Sequence, residues 1–121
     1  MLILGAREAG KAYKDFEYRV SLLGATLDVS NKTPRLQNDW RLIYDAQGNQ
    51  AMKGYGVSDL TYDTSRNKVL MSTTKEFGEN YESAIWEISL SHLLQVGNQQ
   101  ANWTFLKKLE NLKVEGITLL D

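Results

Sequence analysis

Apolar and polar residues alternate with a period of two along most of the chain. Phe16, Tyr18, Val20 and Leu22 interleave with Glu17, Arg19 and Ser21, which gives a strand one apolar and one polar face. Trp40, Leu42 and Tyr44 repeat the pattern and run into the turn-rich break Asp45-Ala46-Gln47-Gly48-Asn49. Leu60 and Tyr62 lie in a further extended stretch closed by Asp63-Thr64-Ser65-Arg66-Asn67, and Lys68 to Thr73 reads as its hairpin partner. Ala84, Trp86, Ile88 and Leu90 alternate with Ile85, Glu87 and Ser89. Helical signals are few: Ser91 to Val96 suits one turn, and Phe105, Leu106, Leu109 and Leu112 have a spacing that also fits an amphipathic helix. The pattern predicts an all-β, antiparallel protein with few or no helices, one unit over residues 1–121.

An internal repeat sharpens this expectation. Leu2-Ile3-Leu4 and Phe16 to Leu22 align with Leu70-Met71-Ser72 and Ala84 to Leu90 at a constant offset, each pair joined by a charged, glycine-containing loop (Arg7 to Asp15, Lys75 to Glu82). Asn38-Asp39-Trp40 aligns with Ala101-Asn102-Trp103, and Val57 to Tyr62 with Val114 to Leu119. The repeat predicts a strand, not a helix, at Trp103 to Lys107. With the strands of a unit named a, b, c and d, the chain reads b (Leu2–Leu4), c (Phe16–Leu22), d (Trp40–Asp45), a (Val57–Asp63), b (Lys68–Thr73), c (Ala84–Leu90), d (Trp103–Lys107) and a third a (Val114–Asp121). The units span roughly residues 1–48 and 56–112, with a trailing strand at 114–121. A missing first strand and a spare last one are how β-propellers close.

The residues carry a family resemblance as well. Gly56-Val57-Ser58-Asp59-Leu60-Thr61-Tyr62-Asp63-Thr64-Ser65-Arg66-Asn67-Lys68-Val69-Leu70 resembles the opening hairpin of a propeller blade. Lys113-Val114-Glu115-Gly116-Ile117-Thr118-Leu119-Leu120-Asp121 resembles a strand of esterase-like phytase domains and related calcium-dependent, lactonase-like bacterial propellers. The resemblance covers residues 56–121, and the first half through the repeat. It implies about two four-stranded blades where such propellers have about six, hence a piece of a larger propeller, a degenerate remnant, or a protomer that closes its ring by association. In these families acidic residues of the innermost strands point into a central channel and bind calcium. The resemblance places Glu115, and Ser58 or Asp59 on the matching strand, near such a channel. Two such oxygens fall short of the six to eight that calcium takes.

Charge and composition narrow the function classes. Fourteen basic residues stand against fifteen acidic ones, a balance that suggests neither a nucleic-acid nor a membrane partner. No apolar run approaches the length of a membrane span, and Met1 to Gly5 lacks the basic flank of a secretory signal. The chain has no cysteine and one histidine, His92, so thiolate chemistry and sites needing two imidazoles are excluded. The compartment stays open. Two sequons, Asn31-Lys32-Thr33 and Asn102-Trp103-Thr104, matter only on a glycosylating route.

Gly5-Ala6-Arg7-Glu8-Ala9-Gly10-Lys11-Ala12 matches a phosphate loop up to its last position, where Ala12 has no hydroxyl for magnesium. The alternation after it predicts a strand where that motif needs a helix, so a hairpin loop is the better reading. Asp63 and Asp121 read as turn formers. Trp40, Trp86 and Trp103 read as core residues. His92 has no serine–aspartate context, and no nucleophile–base pair can be named. The expected function is a non-catalytic binding or scaffold module, self-associating or joined to further blades. The alternative is part of a calcium-dependent esterase, phytase or lactonase-like hydrolase, inert until its ring is complete.

Overall fold

A computed structural model describes residues 1–11, 15–95 and 100–120. The fold is all-β and antiparallel, as the alternation predicts. Strands β1 (Leu2–Lys11), β2 (Asp15–Ala25) and β5 (Arg41–Asp45) form a three-stranded sheet in the order β1-β2-β5. Strands β6 (Gly56–Asp63), β7 (Lys68–Phe77), β8 (Asn80–Ser89) and β9 (Thr104–Glu110) form a four-stranded sheet in chain order. A short ribbon of β3 (Leu27–Asp28) and β4 (Arg35–Leu36), a 3-10 turn at Gln50–Met52 and helix α1 (Leu90–Gln95) complete the described elements. The helix stands where one turn is expected at Ser91 to Val96; Val96 itself lies outside the described residues. The segment weighed between helix and strand is strand β9.

The strands run further than alternation alone suggests. The supposed charged loop Lys75 to Glu82 is mostly ladder: β7 and β8 pair without interruption from Lys68↔Ser89 to Phe77↔Asn80. Charged residues extend strands here because they meet across them, Lys75 directly opposite Glu82. Only Gly78 and Glu79 turn the chain, and Gly78 takes φ 64, the positive φ of a two-residue hairpin that begins with glycine. In the first sheet β1 likewise continues to Lys11, paired with Asp15. Gly5 to Lys11 are therefore strand residues, paired except for Arg7 at a bulge between Ala6 and Glu8, and not a loop of either kind, while Ala12 lies outside the described residues. The β6–β7 turn is built as expected of Asp63. Its Oδ1 accepts the Ser65 amide at 3.1 Å and the Ser65 hydroxyl at 2.7 Å, and Asn67 closes the turn at φ 52.

In the lettering of the expected repeat, the first sheet has the order b-c-d and the second a-b-c-d. The d strands carry the plainest mark of it. A β-bulge inserts Ile43 between Leu42 and Tyr44 opposite Leu22 and Leu23, and another inserts Leu106 between Phe105 and Lys107 opposite Ile85 and Trp86. The two bulged residues fall at one place in the repeat, and they equate Leu22 with Ile85. This corrects the c-strand alignment by five residues. The constant offset would equate Leu22 with Leu90, which starts α1. The third a segment is also corrected. Residues 114–120 form no strand, because a first strand gains its ladder from a second strand that they do not have among the described residues.

Both sheets share one core. Val20, Leu22, Ile43 and Tyr44 pack with Val69, Met71, Ala84, Trp86 and Ile88, and Met52, Tyr55 and Leu93 close the ends. Of the three tryptophans Trp86 is buried and Trp103 packs at the core's edge, 5.8 Å from the Tyr44 ring. Trp40, expected in the core, is exposed, because it precedes β5 and has no ladder position. The sheets meet where β1 and β6 cross. A methyl on Gly5 would overlap Val57, with Val57 Cβ at 2.9 Å, and a methyl on Gly56 would overlap the Arg7 carbonyl, with Arg7 Cγ at 2.8 Å. Gly56→Ala is expected to cost about 2 kcal/mol in urea unfolding, the usual effect of overpacking. Gly116→Ala, with nothing nearer than 3.8 Å, is expected to stay within about 0.5 kcal/mol of wild type.

Candidate functional site

Because side chains alternate, adjacent residues on β7 serve opposite faces of the second sheet. Lys75 and Glu82 lie on the core-facing side, and Glu76 and Tyr81 on the other. Each face gathers a charged cluster.

On the first face Glu82, nearly buried, is the centre. Its Oε2 accepts the Tyr55 hydroxyl at 2.6 Å and lies 3.0 Å from Lys75 Nζ, while Oε1 lies 2.7 Å from Lys108 Nζ. Lys75 Nζ also sits 4.6 Å from the Tyr55 ring centroid, within cation–π range. The bond from Lys108, then that from Tyr55, hold the Glu82 carboxyl down at about 2. Burial first, and the Glu82 carboxylate second, push the Tyr55 phenol up. Two ammonium groups and one phenol thus fix a single carboxylate with both oxygens engaged. The arrangement stabilises an ionised glutamate and offers no free base.

On the opposite face Glu76 ties three parts of the chain together. It pairs with Arg7 of β1, accepts the Tyr18 hydroxyl of β2 at 3.4 Å, and lies 2.9 Å from Lys113 Nζ of the last segment. Lys113, then Arg7, hold its carboxyl below the usual range. Beside this cluster runs a row of small oxygens. Ser58 Oγ is 2.7 Å from Thr74 Oγ1, which is 2.9 Å from Ser83 Oγ.

Asp59 joins that row because Ser58 is a bulge: Val57 lies opposite Thr73 and Asp59 opposite Ser72, so one partner step spans two residues. The Oδ1 of Asp59 accepts the Leu60 amide and its Oδ2 the Ile117 amide, both at 2.9 Å. The structure thus brings the two segments named by the resemblance together. Glu115 is 77% exposed, with Lys113 Nζ at 3.9 Å, and among the described residues no three His, Asp or Glu side chains gather where they could share a metal ion. His92 is occupied locally, its Nε2 accepting the Asn102 amide at 3.4 Å. Asp121 lies outside the described residues.

No protein-family model, curated protein or solved structure matches this chain. The propeller resemblance therefore rests on the residues quoted for it and on the order of the strands.

The Glu82 cluster was not legible as a site, since its members are spread over residues 55 to 108. The one signal was Lys75 and Glu82, which face each other once the turn is centred on Gly78 and Glu79.

Because the Glu82 carboxyl is depressed, its contribution is complete above the pH where a free glutamate ionises and is lost as pH falls through about 2. Glu82→Gln is therefore expected to lower Tm at pH 7, with the difference from wild type closing as pH approaches 2. A difference that stays constant across that range would remove the ionic explanation. If Glu115 lines a cation site, calcium is expected to raise Tm in wild type and not in Glu115→Gln, since a ligand that binds only the native state stabilises it. An equal calcium response in wild type and in Glu115→Gln would count against the site.

Proposed function

We propose that the chain is a non-catalytic assembly module built of propeller-like blades, and that the outward face of its first sheet packs against another sheet. The observation that carries this is a row of leucines. Leu4, Leu23 and Leu42 lie directly opposite one another on β1, β2 and β5, on the side away from Leu22 and Tyr44. They are 47%, 39% and 38% exposed. An apolar row across all three strands of a sheet is the face that a sheet-on-sheet contact buries, and exposed patches of this kind mark interaction surfaces.

The relation between the units supports a step that can repeat. Strand β6 lies over the first sheet with Val57 seated on Gly5. The equivalent segment after Leu112 lies over the second sheet, with the Val114 carbonyl bonded to Thr74. One sheet-to-sheet step thus recurs in the next segment, as stacked blades require.

Light scattering tests the reading. Wild type is expected to associate at high micromolar concentration, and Leu23→Ser with Leu42→Ser to weaken association at least about tenfold, given the free energy of burying such side chains. Tm should change little, because the substituted residues are partly exposed. A clean wild-type monomer at that concentration, or association indifferent to the double substitution, would sink the proposal.

A further inference from the structure

Residues 112–117 lie on the face of β6, β7 and β8 and are gripped mainly by their main chain. Ser83 Oγ donates to the Leu112 carbonyl at 2.7 Å and accepts the Val114 amide at 3.0 Å. Thr74 Oγ1 donates to the Val114 carbonyl at 3.2 Å, and Asp59 Oδ2 accepts the Ile117 amide at 2.9 Å. The side chain that is held is Lys113, by the Glu76 carboxylate and by the Tyr81 ring, 5.4 Å from its Nζ. Every peptide has these amides and carbonyls. The face therefore recognises a peptide by its backbone and selects a cation at one position. Ser72, opposite Asp59 in the register and fully buried, has a hydroxyl with no hydrogen-bond partner among the described residues.

The occupant is attached for exchange. No ladder bond holds it, and single hydrogen bonds to side chains are worth little against water. The chain enters the slot through Asn111, at φ 59, whose amide bonds to the Tyr81 carbonyl at 2.9 Å. Rotation about this one turn redirects everything after it. Beyond the slot Leu119 and Leu120 are 41% and 91% exposed, so the chain's own fold gives them little cover.

We infer that this face is a peptide slot with an exchangeable occupant, and that the competing occupant is the 112–117 segment of a second copy. That segment carries the same carbonyls, amides and lysine, so exchange between copies conserves every contact, the condition under which an identical element is swapped at low cost. The slot and the leucine row are on different sheets, and the exchange does not require the propeller reading.

The Lys113–Glu76 pair supplies the test in the unaltered protein. Chains grown on ordinary and on heavy nitrogen are mixed, treated with a carbodiimide that joins an ammonium to a touching carboxylate, and digested. The linked peptide is then weighed. A mixed-mass link between residues 113 and 76 is expected, rising several-fold between low and high micromolar protein by mass action. It should fall several-fold in Ser83→Ala, which removes two of the main-chain bonds, and persist in Leu23→Ser with Leu42→Ser. Links of pure mass alone, at every concentration, would overturn the exchange. Stripe-dependent association without mixed links would leave the assembly module standing and the slot inference fallen.

Discussion

Strands β1 and β6 belong to different sheets, yet their backbones pass close enough that neither crossing residue can carry a side chain. Gly5 accommodates Val57 and Gly56 accommodates the Arg7 carbonyl, a reciprocal arrangement in which each strand gives way where the other is bulky. Much of the molecule follows from it. The approach seats Val57 in the shared core with Val20 and Leu22. It also brings Arg7 to Glu76, so the first sheet reaches the charged cluster on the second. Packed interiors have few soft places, and here the tightest one sets how the two units sit.

The β7–β8 hairpin then divides the work by side. Its unbroken register sends one carboxylate, Glu82, to the core side and another, Glu76, to the other. Both are ionised and neither is spare: one locks Tyr55 and two lysines, the other joins both sheets and the last segment. Conserving charge within such closed clusters is a structural task.

Strand content and order were open to view in the sequence because period-two alternation is long and regular in Phe16–Leu22 and Ala84–Leu90. Strand ends were not. Lys75 and Glu82 look like loop residues until their pairing across the hairpin is known, and Trp40 looks like core until β5 is seen to begin after it. The c-strand alignment slipped for a related reason: identity between sparse apolar residues cannot register a bulge, and the bulges at Ile43 and Leu106 are what fix the correspondence. Of the residues named for a site, Asp59 does meet the segment that carries Glu115, but through the Ile117 amide. A bond from side chain to main chain leaves no trace in residue identities. The Glu82 cluster and the main-chain slot were hidden in the same way.

The extra residue in β6 has a further meaning. In a regular strand, residues three apart point to opposite sides, yet Val57 is in the core and Leu60 packs against it, because Ser58 resets the alternation between them. The strand is thus two short stretches spliced out of phase. Removing the one extra residue would leave Val57 and Leu60 two apart in a regular ladder with both inside faces still inside, whereas removing two would turn one stretch inside out. Loss of that single residue is therefore the change in length that the strand tolerates at this point, and loss of a second is the one that it does not.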